Sequence, residues 1–321
     1  MTELVLECSD GSKIAGQLYK NNVTSETTER ILCLHGWMDN CRSFYHLAPA
    51  VAEGVPHNVE LFAMDFPGHG LSSHRPVSAP PTMLSEFAYA VAEAVHQLDW
   101  IPPRPQQTTE EESTSSPFFT IVGHSMGAAV GCTYAAAFPE QVQRLVLVEG
   151  AGPLFRNASD VSKHIRQHVQ KRLEGNKNPK QPRVYPSLEK AVQTRCMTAQ
   201  YSPGNQWLSV AAAREIVLRA TEAVPNEPEG SVRFRHDPRL QWPSLQYFTA
   251  EQVNALYDDI QCPTALILAK DGWPFSEDRM QASLELLQPV LYTTLPGSHH
   301  FHADPESAEA VVQEVLSFLK L

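Results

Sequence analysis

The residues best placed to do chemistry lie in Gly123-His124-Ser125-Met126-Gly127. Phe118, Phe119, Ile121 and Val122 before them form a short β-prone apolar run, as in a buried strand. Ala128, Ala129, Val130 and Ala135 to Ala137 after them favour helix, and Pro139 marks its end. The chain must therefore pass from extended to helical across one serine. In an open parallel sheet, reactive groups gather beyond the carboxyl ends of the strands. A serine on a sharp turn there is lifted clear of the backbone, and the following helix aims its N-terminal amides at the same spot. Gly123 and Gly127 are the positions where a side chain would collide. A glycine-flanked serine also suits a helix N-cap, but the strand before it and the small-residue helix after it favour a nucleophile elbow. A hydroxyl attacks poorly until a base takes its proton, and the base needs an acid to orient it.

Those partners must come from other elements. "ELVLEC" and "KIAGQLYK" read as two short strands around the turn "SDGS". "RILCLHGW" is a stronger strand, a helix-like stretch follows from Ser43 to Glu53, and "VELFAMDFPGHG" is another apolar run ending in glycines. Phe87, Val91, Ala94, Val95 and Leu98 have the spacing of an amphipathic helix. "IPPRPQQTTEEESTSSP" reads as a disordered surface loop. After the strand "RLVLVEG" the alternation stops, and a polar, helix-leaning stretch runs to about Asp259. Strand-like runs resume at "PTALILAK" and "PVLYTTL", each followed by a charged or histidine-bearing loop, and "PESAEAVVQEVLSFLKL" closes the chain as a helix. The pattern predicts an α/β fold with a mostly parallel sheet covered on both faces. Residues 1–152 and 260–321 form its core, and 153–259 a helical cap insertion.

Composition narrows the function. The 321 residues are 42% apolar and 19% charged, as in ordinary globular proteins. A net charge of −11 argues against nucleic acid or anionic membranes as main partners. No apolar run reaches the roughly 18 residues of a membrane span, and "MTELVLECSDGSK" lacks the features of a signal peptide. Six scattered cysteines without C-x-x-C pairs read as reduced thiols. A cytoplasmic protein is expected; the final Lys-Leu is a weak echo of a peroxisomal address. His35, His69 and "HHFH" have no carboxylate or cysteine at ligand spacing, so no metal is expected. The glycines of "DFPGHG" do not fit a dinucleotide-binding turn, and no cofactor is expected.

Motifs beyond the elbow resemble the α/β-hydrolase superfamily. "LCLHGWMDN" is similar to its His-Gly loop, and "MDFPGHGLSS" to its D-x-x-G-x-G-x-S signature. "FPEQVQRLVLVEGAGP", "ALILAKDGW" and "LPGSHHFHADPE" resemble later landmarks in the same order. Within that superfamily the chain most resembles the serine hydrolase-like protein family, including its "HDPRLQWPS" segment.

The resemblance implies an α/β-hydrolase fold and places the base in "GSHHFH", where His299 matches best, His300 is the alternative and His302 matches a later histidine. It implies an acid at Asp271, after "PTALIL", with Glu149 as the position some relatives use instead. It also implies an oxyanion hole made by the backbone N–H groups of Trp37 and Met126. The Trp37 indole then walls the pocket. Asp65, Gly68 and Gly70 shape a tight loop, and Asp39 and Asn40 order the loop that carries Trp37. Arg233, Arg235, Arg239 and Asp237 read as solvated or interdomain ion pairs rather than substrate contacts. The expected function is a serine hydrolase that cleaves a small-molecule ester through Ser125, His299 and Asp271. The alternatives are a non-catalytic binding protein on the same scaffold and a cofactor-free carbon–carbon bond hydrolase. An aspartate nucleophile, as dehalogenases of this fold need, is absent at residue 125.

Overall fold

Successive side chains on a strand point to opposite faces, and here both faces are apolar. The computed structural model describes residues 1–21, 23, 25–79, 83–102, 118–179, 181–245 and 247–320. Residues 103–117, most of the stretch read as a disordered loop, lie outside them.

The first half of the chain runs β1 (Thr2–Glu7), β2 (Lys13–Lys20), β3 (Thr28–Leu34), a 3-10 turn (Cys41–Phe44), α1 (Leu47–Gly54), β4 (Asn58–Met64), α2 (Leu84–Gln97), β5 (Phe119–His124), α3 (Met126–Ala137) and β6 (Val142–Val148). The middle carries α4 (Val161–Lys177), β7 (Val184–Tyr185), α5 (Leu188–Ala199), α6 (Val210–Ala220), β8 (Thr221–Ala223), β9 (Val232–Phe234) and α7 (Ala250–Asp258). The chain then returns through β10 (Thr264–Asp271), α8 (Glu277–Leu287), β11 (Leu291–Ser298) and α9 (Ala308–Leu319).

The main sheet has the order β1-β2-β4-β3-β5-β6-β10-β11. The hairpin β1–β2 and the β2–β4 pair are antiparallel, and the rest is parallel. Leu32, Leu34, Ile121, Leu145, Leu147 and Leu266 turn to one face, against Phe87 and Val91 of α2, Ala128 and Cys132 of α3, and Val253 and Tyr257 of α7. Ile31, Cys33, Val122, Val146, Val148 and Ile267 turn to the other, against Leu47 and Val51 of α1 and Val311 and Val315 of α9. Truncating one of these aliphatic side chains to alanine would cost about 2–5 kcal/mol.

Two elements differ from the sequence reading. The segment between β6 and β10 reads as helical in sequence, yet it also holds the antiparallel sheet β7-β9-β8. Its strands are two or three residues long, too short for a period-two pattern to show. The charged stretch after "PTALILAK" contains α8, whose first turn carries Glu277 and Asp278 and whose Ser276 is the N-cap residue.

Strand register brings the loop ends together. Leu34 lies opposite Gly123, Gly123 opposite Leu147, and Val148 opposite Ile267. The residues just after β3, β5, β6 and β10 therefore share one end of the sheet.

Candidate active site

At that end Ser125 links β5 directly to α3 with φ 52° and ψ −112°. A left-handed non-glycine residue costs on the order of 1–3 kcal/mol and persists where surrounding structure imposes it. The surroundings here are two glycines. A Cβ on Gly123 would lie 2.5 Å from the Gly127 carbonyl oxygen, and one on Gly127 would overlap the Leu34 carbonyl. The strand–helix junction closes only because both positions lack side chains. Ser125 N donates to Val148 O at 3.0 Å, and Ser125 O accepts from Ala128 N and Ala129 N, so the backbone is held from both neighbours. The residue is half-buried.

Glu149 follows β6 and is also left-handed, with φ 50°. It is 1% exposed, and its carboxylate is enclosed by donors. Ala269 N donates to Oε1 at 2.7 Å, Trp273 N donates to Oε2 at 2.9 Å, and His299 Nδ1 meets Oε2 at 2.9 Å. Gly272 passes so close over this carboxylate that a Cβ there would overlap it. An acceptor-only carboxylate fixes the proton of the imidazole on Nδ1, which leaves Nε2 as the basic nitrogen. The His299 ring packs between His124, at 4.8 Å between centroids, and Trp273, at 5.8 Å. His124 Nε2 also meets His299 O at 2.8 Å, which joins the histidine loop to the residue just before Ser125.

The hydrogen bond to the histidine that the sequence reading gives to Asp271 is thus made by Glu149. Asp271 is half-buried and makes no side-chain hydrogen bond or ion pair among the described residues. The β10–β11 register shifts between Ala269 and Asp271, and the loop that follows wraps the glutamate instead. No hydrogen bond joins Ser125 Oγ to His299 among the described residues. The N–H groups of Trp37 and Met126 donate to no carbonyl among the described loop and cap hydrogen bonds.

Trp37 lies after His35-Gly36 and is 52% exposed. Its indole Nε1 donates to Leu240 O at 3.2 Å, so it spans from this loop to the 238–241 turn. Met38, next in the chain, is left-handed at φ 63°. Asp39 is buried; Arg195 Nη2 lies 2.8 Å from its Oδ1, and His300 Nε2 lies 3.1 Å from its Oδ2. Burial opposes ionisation of Asp39, but His300, Arg195 and His124 hold its carboxyl well below the usual range. Asn40 caps the 3-10 turn through Arg42 N and donates to Ile216 O at 2.8 Å.

Other histidines have structural surroundings. His35 Nε2 accepts from Phe66 N and its Nδ1 meets Gly36 O, so both ring nitrogens are occupied. Burial lowers the pKa of His35 and of His69. His302 is fully buried against Phe44 and His124, and burial pushes it down to about 3. Among the described residues no group of three histidine, cysteine or acidic side chains is arranged to hold a metal ion. Nor is any of their helices long and apolar enough to cross a membrane.

The remaining sequence candidates have local partners. Asp65 is buried, accepts from Cys41 N and Leu71 N at 2.8 Å, and pairs with Arg219 Nε at 2.8 Å. Gly70, at φ 49°, leaves room for that carboxylate, and Gly68 O accepts from Asp237 N. Arg233 and Arg235 face Glu222, and Arg239 pairs with Asp237 and donates to Pro76 O. The "HDPRL" turn therefore fastens the inserted segment to the Asp65–Ser73 loop.

Fold and site together define the class. A profile of the alpha/beta hydrolase fold matches residues 29–305, and the chain belongs to that family. Its relatives include a serine hydrolase-like protein of Dictyostelium discoideum, 30% identical over 306 residues, which span 92% of this chain and 76% of that one. A serine hydrolase-like protein of Danio rerio is 29% identical over 299 residues, 89% of this chain and 81% of that one. Among solved structures, a hypothetical protein of Pseudomonas aeruginosa PAO1 superposes with a TM-score of 0.82 at 31% identity over 100% of both chains. The resemblance read from the motifs holds at the level of these relatives.

Sequence alone ranks Glu149 below Asp271 and does not single out Gln206 or Arg195. A glutamate directly after a strand, with glycine next, is the available signal for a left-handed turn. Gln206 and Arg195 lie far along the chain from their partners and carry none.

Proposed function

We propose that this protein is a serine hydrolase that cleaves small-molecule esters with Ser125 as nucleophile, His299 as base and Glu149 as the orienting acid. The observation that carries the proposal is the His299–Glu149 hydrogen bond beside a strained serine at the carboxyl end of the same sheet. Oγ attacks the ester carbon as its proton passes to His299 Nε2, and the carbonyl oxygen becomes an oxyanion met by the N–H groups of Trp37 and Met126. The oxyanion re-forms the carbonyl as the bond between the acyl carbon and the alcohol oxygen breaks. The leaving alkoxide takes the proton from His299, and the acyl group stays on Ser125 as an acyl-enzyme. Water repeats the sequence and frees Ser125. Losing one oxyanion donor costs on the order of 100- to 1,000-fold in turnover. The Ser125–His299 contact is expected to tighten when substrate is bound, as such contacts commonly do. The segment from α4 to β9 serves as a cap that selects the substrate and limits water.

A fluorophosphonate probe tests this reading. The expected result is a covalent adduct on Ser125 that Ser125→Ala abolishes, with turnover of p-nitrophenyl esters lost in parallel. A folded wild-type protein that stays unlabelled and inert would instead mark a binding protein on a hydrolase scaffold.

A further inference from the structure

Gln206 lies between α5 and α6, outside the sheet that carries the serine, the histidine and the glutamate. It is only 6% exposed, although glutamine usually faces water. Its amide has partners on both sides. Oε1 accepts from His299 N at 2.9 Å, while Nε2 donates to Gly272 O at 2.7 Å and to Pro203 O at 3.1 Å. The partners fix the amide orientation: the acceptor meets the only N–H, and the donors meet two carbonyls. The next residue adds a second tie, because Trp207 O accepts from Ser298 Oγ at 2.7 Å.

Both ends of this amide reach the histidine–glutamate pair. One holds the backbone of His299 itself. The other holds Gly272, which lies over the Glu149 carboxylate, next to Trp273, whose N–H binds that carboxylate. We propose that Gln206 is a positioning residue: its amide sets the separation between the loop carrying the base and the loop seating the acid. The inference rests on the hydrolase reading above. It places the integrity of the pair under the control of the inserted segment, which means that displacing residues 203–207 loosens the base before the serine is touched. A displacement near 1 Å at a reacting group can cost about 100-fold in rate.

Two variants test it. Gln206→Met keeps length and volume but makes no hydrogen bond. It is expected to lower kcat about 10- to 100-fold with KM changed less than about two-fold. Gln206→Glu can replace the amide only when protonated, since then one oxygen accepts from His299 N and the O–H donates to Gly272 O. Its kcat relative to wild type should therefore rise as pH falls. The downfield proton resonance of His299 Nδ1–H provides a readout that needs no turnover, and it should broaden or shift in Gln206→Met while thermal unfolding stays cooperative. Wild-type resonance and kcat in Gln206→Met, or a pH-independent ratio for Gln206→Glu, would overturn the inference. A wild type inert to the fluorophosphonate would defeat the hydrolase reading alone, because the resonance test still reports on the positioning.

Discussion

Two adjacent residues, His299 and His300, each pair with a buried carboxylate, and the two pairs behave as different devices. Burial does not separate them: the side chains are 13% and 1% exposed for His299 and Glu149, and 12% and 1% for His300 and Asp39. The ring nitrogen does. His299 spends Nδ1 on Glu149, so its distal Nε2 makes no hydrogen bond among the described residues, whereas His300 spends that same distal Nε2 on Asp39, with Arg195 Nη2 at 3.3 Å. The surrounding charge differs as well. Glu149 is satisfied by backbone N–H groups, while Asp39 faces the Arg195 guanidinium. A carboxylate satisfied by neutral dipoles keeps its full charge for the histidine. A carboxylate shared with a guanidinium becomes a structural anchor. A histidine–carboxylate contact alone does not assign a base; the proposed role of His299 rests on which ring nitrogen the carboxylate takes and on the lack of an Arg or Lys contact to Glu149 among the described residues.

Removing the Glu149 carboxylate without removing its volume tests the first pair. Glu149→Gln is expected to lower kcat by about 10,000-fold, the order seen when a triad carboxylate becomes an amide and the wrong imidazole tautomer is favoured. Asp271→Asn should stay within about three-fold of wild type, because its side chain makes no hydrogen bond or ion pair among the described residues. Ester turnover of both variants decides it. A collapse in Asp271→Asn with Glu149→Gln intact would restore the assignment drawn from the sequence.

That assignment shows where legibility ends. The elbow can be read because strand, glycines, serine and small-residue helix are contiguous from Phe118 to Ala137, and local sterics enforce the turn. The mostly parallel sheet covered on both faces can be read because strands and helices alternate and each central strand is apolar on both faces. Glu149 and Asp271 look alike because one directly follows β6 and the other ends neighbouring β10, at the same end of the sheet. The choice between them depends on a left-handed turn at one and a register shift at the other. Neither is a property of spacing. The Asp39–Arg195 contact joins residues 156 positions apart, and only the folded chain brings them together.

The second pair predicts a stability effect where the first predicts a catalytic one. Asp39→Asn leaves the Arg195 guanidinium, 16% exposed, without its counter-charge. Breaking such a buried pair from one side costs about 3–5 kcal/mol, because the remaining charge is left uncompensated. Denaturant midpoints should fall accordingly. Arg195→Met with Asp39→Leu should recover part of the loss, since removing both charges together is often neutral. Turnover per folded molecule should fall about ten-fold at most, because Asp39 makes no hydrogen bond to Ser125, His299 or Glu149 among the described residues. A loss as large as that of Glu149→Gln would erase the distinction.

Acid should destabilise the fold through the neighbouring His302. His302 has no hydrogen bond on either ring nitrogen among the described residues, and it packs at a 36° tilt against His124, 4.0 Å between centroids, close to His300 and Asp39. Burial, helped by the nearby His300, lowers its pKa to about 3, against about 6.5 for an unfolded histidine. The unfolded chain therefore binds more protons between those values. Stability from neutral His302 is complete above pH 6.5 and is lost as pH falls through that window, by about 2 kcal/mol at pH 5. His124, also held well below its usual value, adds in the same direction. His302→Leu, which breaks no hydrogen bond, should flatten the decline measured by urea unfolding at pH 7 and pH 5. An unchanged slope would mean that the cluster takes up its proton without cost.

The smallest effect expected lies at the rim of the loop that Asp39 anchors. Trp37 gives its indole N–H to Leu240 O at 3.2 Å, and through it the loop meets the inserted segment a second time. Trp37→Phe keeps an aromatic wall and the backbone N–H assigned to the oxyanion, and removes one neutral hydrogen bond from a side chain half in water. Such a bond contributes about 1 kcal/mol net, less where water can replace it. The expected outcome is a two- to three-fold rise in KM for the longer p-nitrophenyl esters, with kcat held and thermal unfolding lowered by about 2 °C. Gln206→Met, by contrast, is expected to lower kcat and spare KM. Gln206 meets the loop of His299 through a buried amide, and Trp37 meets Leu240 through an exposed indole, so the proposed roles differ: positioning of the base for the first, substrate entry for the second. A fall in kcat for Trp37→Phe matching that of Gln206→Met would make both contacts positioning devices and abolish the asymmetry.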